Sequence, residues 1–225
     1  MTPVPESDRG PGGAKGVPPR PPNTPEVADD QIYEKYQAKA IAEVNRLGHE
    51  IAAALAERHP ECAPVLGTGH PLADVFLLKY APMPSEAQEG VAFFGRAGQA
   101  ILKSLQRLRI DPLVLYGTCC LKAAVAPSED DLTDCRAWLT RELHITQPRI
   151  VVPCGRDALD FLVSIRFPLS RRGARPVGEI RQWTPTIELL PVPDIDASLN
   201  EAAAKQEFWS AFRRLGDWHE NLPPY

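Results

Sequence analysis

The sequence predicts an α/β fold: a three-layer α/β/α sandwich around a central, mostly parallel four-stranded sheet. Three observations predict it. Short apolar runs alternate with longer segments of helical periodicity from about residue 60 to the C-terminus. Those runs, such as Val75-Phe76-Leu77-Leu78 and Ile150-Val151-Val152, are continuously apolar, as strands buried on both faces are. With 225 residues, 44% of them hydrophobic, the chain is long enough to bury a substantial core.

The elements follow in order. Residues 1–27 hold a dense set of the chain's 24 prolines together with Gly10, Gly12, Gly13 and Gly16. Such a stretch has too little apolar surface to offset its ordering entropy, so a disordered tail is expected there, with polyproline II character around Pro18-Pro19-Arg20-Pro21-Pro22. From Glu26 to Arg58 proline is absent, and Ile32, Tyr36, Ile41, Val44, Leu47, Ile51 and Leu55 recur at threes and fours. This is one apolar stripe, and an N-terminal helix over 28–60 packed on the domain is expected. Pro60 stops it.

A domain over 61–218 comes next, followed by a short tail over 219–225. Strands are expected at Val75–Leu78, Leu113–Tyr116, Ile150–Val152 and Ile187–Leu190. Helices are expected at Ala97–Leu108, from Ser128 to about Leu143, at Asp157–Ile165 and at Ala202–Leu215. Ser128-Glu129-Asp130-Asp131 supplies an N-cap and an acidic first turn. Residues 170–186 form a polar, arginine-rich loop or hairpin. In open parallel sheets, ligands bind beyond the carboxyl ends of the strands. That rule selects the loops after Leu78, Tyr116, Val152 and Leu190.

Charge and composition exclude several functions. The 25 Lys+Arg stand against 29 Asp+Glu, a net charge of −4, so polyanion binding has to come from local patches. No apolar run approaches the ~20 residues of a membrane helix. Met1–Glu6 lacks a charged segment leading into an apolar one, so no signal peptide is expected. Five cysteines, an odd number, argue against a disulfide framework, and a cytoplasmic, monomeric protein is expected. No Gly-rich phosphate loop follows a strand.

The selected loops carry a sequence of small motifs. Gly67-Thr68-Gly69-His70-Pro71-Leu72-Ala73-Asp74 leads into the first strand, followed by Ala81-Pro82, Glu86, Gly90, Phe93 and Gly95-Arg96-Ala97-Gly98-Gln99. Further on come Thr118-Cys119-Cys120-Leu121-Lys122, Cys135-Arg136-Ala137-Trp138-Leu139, and Pro148 to Arg156. Over residues 60–215 this order resembles the uracil-DNA glycosylase superfamily, and most nearly its iron–sulfur branch, family 4.

That resemblance implies a base flipped into a pocket and cleaved from its sugar. The family supplies a stacking Phe, an Asn that reads the base, a Glu in G-E-A-P-G and a His in H-P-S. Phe93 matches the stacking residue, although by residue type alone it fits a core aromatic equally well. The other positions depart. Lys79-Tyr80-Ala81-Pro82-Met83 stands over G-E-A-P-G, so Tyr80 replaces the acid, and a phenol is a poor base near neutral pH. Tyr80, Phe93 and Cys119 are thus the candidate base-contacting residues. Cys119 takes the Asn position in one register and a cluster-cysteine position in another, with Thr118 and Lys122 matching the first. A thiol cannot reproduce an amide's paired hydrogen bonds. Asp194 falls at the His position, where it would repel a departing uracil anion, and Asn200 replaces an Arg.

Two functions follow. One is a protein of the repair lineage that binds nucleic acid or a base-like ligand with standard uracil excision lost or altered. The alternative is an active, divergent N-glycosylase using Asp194, Asp196 or Glu86 on water, although paired loop carboxylates also serve as helix caps. The family's cluster needs four thiolates. Cys62 and Cys135 are plausible survivors, Ala123 occupies a third position, and Cys154 reads as packing, so no cluster and no metal are expected. Arg171, Arg172 and Arg175, with Arg181 nearby, are the candidate contacts to DNA phosphates, or else a solvated hairpin.

Overall fold

The computed structural model describes residues 25–222. The expected tail over 1–27 falls almost wholly outside them. Helix α1 spans Pro25–Arg58. The chain divides into two units, Met1–Tyr36 and Gln37–Tyr225, and the second carries the sheet and every feature described below. Within it, the α1 stripe is real at Leu47, Ile51 and Leu55, which are buried, whereas Ile41 is exposed.

The sheet has six strands in the order β1-β3-β2-β4-β6-β5. Its centre is parallel, as expected: β2 (Val75–Lys79) lies between β3 (Leu115–Cys119) and β4 (Ile150–Cys154), and β6 (Glu188–Leu189) lies beyond β4. The expected four-stranded sheet is thus the core of a larger, mixed one. Two-residue strands are added antiparallel at the edges, β1 (Thr68–Gly69) on β3 and β5 (Arg181–Gln182) on β6. Such short pairings leave no periodicity to read. The β3 strand starts later than expected because Asp111 accepts a hydrogen bond from Leu113 N (2.9 Å) and Pro112 opens a single 3-10 turn over Pro112–Val114.

Helices cover both faces. Alternation along the strands sends Phe76, Leu78, Tyr116 and Val151 into one core with Leu47, Ile51, Leu139 and Leu162. It sends Val75, Leu77, Cys119, Ile150, Val152 and Cys154 into the other with Ile101, Leu105 and Phe212. The first face belongs to α1, α4 (Glu129–Thr146) and α5 (Arg156–Ser164), the second to α3 (Arg96–Leu108) and α7 (Ala202–Glu220). The closing helix therefore runs past Leu215 to Glu220, into the stretch expected to be a tail. Two short helices inside loops were not expected: α2 (Pro84–Glu89) and α6 (Ile195–Ser198).

The start of α4 bears out its motif. Ser128 Oγ accepts from Asp131 N (3.2 Å), and an Asp131 carboxylate oxygen accepts from Ser128 N (2.9 Å). His59 (3.0 Å) and Arg58 (3.1 Å) reach the same carboxylate from the end of α1. Hydrogen bonds from Ser128, then the His59 contact, hold Asp131 down to about 2 against the opposing effect of burial. A carboxyl depressed in the folded state stabilises above its unfolded value of ~3.9 and loses that contribution as pH falls through the folded one. Asp131→Asn is therefore expected to flatten the fall in stability between pH 4 and 2, measured by urea unfolding across that range.

Candidate active site

The strand-end rule leads to β2. Its last residue, Lys79, pairs in register with Cys119 of β3 on one side and Cys154 of β4 on the other. All three side chains belong to the face covered by α3 and α7. An all-apolar strand thus ends on a lysine that is 3% exposed. A buried ammonium needs partners, and Lys79 has two. Its Nζ donates to Glu86 Oε2 at 2.7 Å and also to Asp196 Oδ2. Burial pulls the Lys79 pKa down, but hydrogen bonds to Asp196 and Glu86 outweigh it and leave the group above its ordinary value.

Glu86 organises the loop after β2. It is 1% exposed and sits in α2, where it accepts from Met83 N (2.6 Å) and from Phe93 N as well as from Lys79. Phe93 has φ 59°, a left-handed conformation that is costly for an aromatic residue. Three contacts fix it there: the Glu86 carboxylate on its N–H, its own carbonyl against Gly98, and its ring against Gly117. A Cβ at Gly98 would lie 2.0 Å from the Phe93 oxygen, and one at Gly117 would lie 2.8 Å from the ring. Both glycines are therefore required by close approach. The Lys79 ammonium lies 5.8 Å from the centroid of the Phe93 ring.

Four of the six residues expected in the site itself come together. Phe93, Glu86 and Asp196 surround Lys79, and Cys119 lies beside it on β3. Burial foremost, with the Glu86 charge adding to it, pushes the Cys119 thiol up to about 12, so it stays a neutral thiol. Tyr80 goes elsewhere. Strand alternation turns it to the opposite face, where its ring meets Phe161 edge-on with centroids 6.1 Å apart. Burial raises its phenol too. Asp194 is at the rim, its carboxylate capping α6 by accepting from Ala197 N at 3.0 Å. The main chain of the β4–α5 corner passes close by, and a Cβ at Gly155 would come within 3.1 Å of Asp194 Cβ.

The arginine cluster stands apart. Its segment leads into β5, which β4 and β6 separate from β2. Arg175 turns back on its own loop, donating to Gly173 O at 2.9 Å and to Arg171 O, while Arg181 pairs with Glu179. Arg171 and Arg172 are exposed.

Sequence reasoning missed Lys79 itself, which it treated as standing over a family glycine. The signal was there: a lysine directly continuing an all-apolar strand. It also passed over a second buried ion pair on the opposite face. Lys122 Nζ donates to Glu142 Oε2 and to Thr118 Oγ1, both at 2.7 Å, and Tyr116 Oη donates to Glu142 Oε1 at 3.2 Å. This network pins the β3 end that presents Cys119.

Comparison with known proteins identifies the family. The model of the family described as the uracil DNA glycosylase superfamily matches residues 66–215. Three proteins named type-4 uracil-DNA glycosylase are similar. That of Archaeoglobus fulgidus is 25% identical over 160 residues, 68% of this chain and 80% of its own length. That of Sulfurisphaera tokodaii is 30% identical over 105 residues, 44% of this chain and 48% of its own length. That of Saccharolobus solfataricus is 27% identical over 122 residues, 52% of this chain and 55% of its own length. With a mixed α/β sheet covered by helices on both faces and a family match spanning most of the domain, this chain belongs to the uracil-DNA glycosylase superfamily.

Proposed function

We propose that this chain is a nucleic-acid-binding member of the superfamily that does not carry out standard uracil excision, because its own Lys79 occupies the place of the base. One observation carries this reading. The Lys79 ammonium lies over the Phe93 ring, 5.8 Å from its centroid, and two carboxylates fix it there. An aromatic face engaged by a buried cation is not open to a flipped base.

The chemistry around it supports the same reading. Excision needs a group to steer water and a donor for the departing anion. Glu86 is committed to Lys79 and two backbone N–H groups, Asp196 to Lys79, and Asp194 to a helix cap. Two carboxylates against one ammonium leave the site net negative, which opposes a uracil anion. The neutral Cys119 thiol offers no paired hydrogen bonds to a pyrimidine edge. The lost cluster belongs to this proposal. Four thiolates would have to converge, yet Cys119 and Cys154 lie in the core on one face of the sheet, and Cys120 and Cys135 in the core on the other. Cys62 packs at the margin of the latter.

The test is uracil release from single-stranded and mismatched DNA by the full chain. No turnover above a protein-free control is expected, and iron analysis of the same preparation should find none. Turnover that Phe93→Ala abolishes would overturn the proposal and restore a divergent glycosylase.

A further inference from the structure

Helices α3 and α7 leave a groove between them of about 370 Å³, which Ile195 and Ser198 of α6 also line. Its lining is unusual for a chain of net charge −4. Arg96, Lys103 and Arg107 line it from α3, Lys205 from α7, and no carboxylate does. All four cations are exposed, and among the described residues none forms an ion pair. Helix α3 (RAGQAILKSLQRL) contains no acidic residue at all. Arg96, Lys103 and Arg107 fall on one face at intervals of seven and four residues, which at 1.5 Å per residue spreads them over about 16 Å. Trp209 forms part of the groove wall, with the Arg107 guanidinium 5.6 Å from its ring.

We infer that this groove binds the phosphodiester backbone of a single nucleic-acid strand and leads it toward the loop of Asp194 and Asp196. The inference rests on the reading that this chain still engages nucleic acid, and it names the surface that does so. A row of cations about 16 Å long exceeds the reach of one phosphate group and suits successive phosphates of a strand. Its placement fits the same role: α6 carries Asp196 into the site, and Arg96 follows directly on the Phe93 loop, donating to Leu199 O at 3.4 Å. The arginines of the 170–186 segment, which leads into β5 at the far edge of the sheet, are not this surface.

The experiment is fluorescence anisotropy of a labelled, uracil-free dT15 oligonucleotide with the full chain over a range of salt. Counterion release from a single strand gives a slope of about −0.7 per phosphate neutralised, so four cations should give about −3. Lys103→Ala/Arg107→Ala/Lys205→Ala should weaken binding by about tenfold or more at low salt and make the slope shallower by about 2. Arg171→Ala/Arg172→Ala/Arg175→Ala should leave both unchanged. The substituted groups are exposed, and an unchanged thermal midpoint checks that the fold is intact. An unaltered slope in the groove variant, or loss confined to the loop variant, overturns the groove while leaving nucleic-acid binding in place. Competition by inorganic phosphate or dTTP as effective as by unlabelled dT15, compared per phosphate group, would make it a mononucleotide site and overturn the strand. Absence of dT15 binding by the unaltered chain would overturn nucleic-acid binding itself.

Discussion

Replacing Lys79 by methionine is expected to destabilise the fold by about 3–5 kcal/mol, the usual cost of removing one partner of a buried ion pair. Methionine keeps most of the volume, so a cavity is not the cause. The cost falls on Glu86, which is 1% exposed and would keep its two backbone donors but lose its counter-charge. Asp196, 20% exposed at its side chain, can turn toward water. Urea unfolding measures the difference directly, and a domain of this size should lose roughly 2–4 °C of midpoint per kcal/mol. A loss below about 1 kcal/mol would mean that Lys79 does not neutralise the site. The pH dependence has a defined sign. The Lys79 pKa is raised in the folded state, so its contribution is fully present below the unfolded value of ~10.4 and disappears as pH climbs through the folded one. The unaltered chain should therefore lose this increment only in alkali, and Lys79→Met should lack that part of the alkaline fall.

Glu142→Gln is expected to cost a similar ~3–5 kcal/mol, for the same reason on the other face of the sheet. The substitution is nearly isosteric, yet it leaves the Lys122 ammonium, whose side chain is 0% exposed, with only the Thr118 hydroxyl and a neutral amide. The double variant Lys122→Met/Glu142→Gln removes both charges and should recover a large part of the loss, because no unpaired ion remains. Chemical unfolding of the single and double variants gives the coupling. Strictly additive losses would sink the idea that the two residues act as a pair. Tyr116 adds to the network as a neutral phenol, since burial and then the Glu142 charge drive its pKa well up.

Much of this molecule was legible in its sequence because packing writes periodicity. The β2 and β4 segments are apolar on both faces, and a parallel strand buried between two helical layers requires that. The Ser128 to Asp131 cap was legible because reciprocal side-chain bonds need those residue types at that spacing. Strands β1 and β5, two residues each, were not, because two positions carry no pattern. Helices α2 and α6 escaped for the same reason: six and four residues make too little of a helix for an amphipathic stripe.

The site divides along the same line. The motif order alone placed Phe93, Glu86, Cys119 and Asp196 in loops at the strand ends, and the structure gathers them there. It could not say which of the adjacent residues Lys79 and Tyr80 joins Phe93 and Glu86, because that depends on strand phase. A one-residue difference in phase exchanges the two faces of a sheet, and only pairing with Cys119 and Cys154 fixed it, turning Lys79 inward and Tyr80 away. Nor could it bring Asp196 to Lys79 across 117 positions of chain. Residue types and their order determined the superfamily to which the chain belongs. Which carboxylates hold Lys79 beside Phe93 was decided by tertiary structure, because a buried ammonium takes whatever carboxylates the fold places within hydrogen-bonding reach.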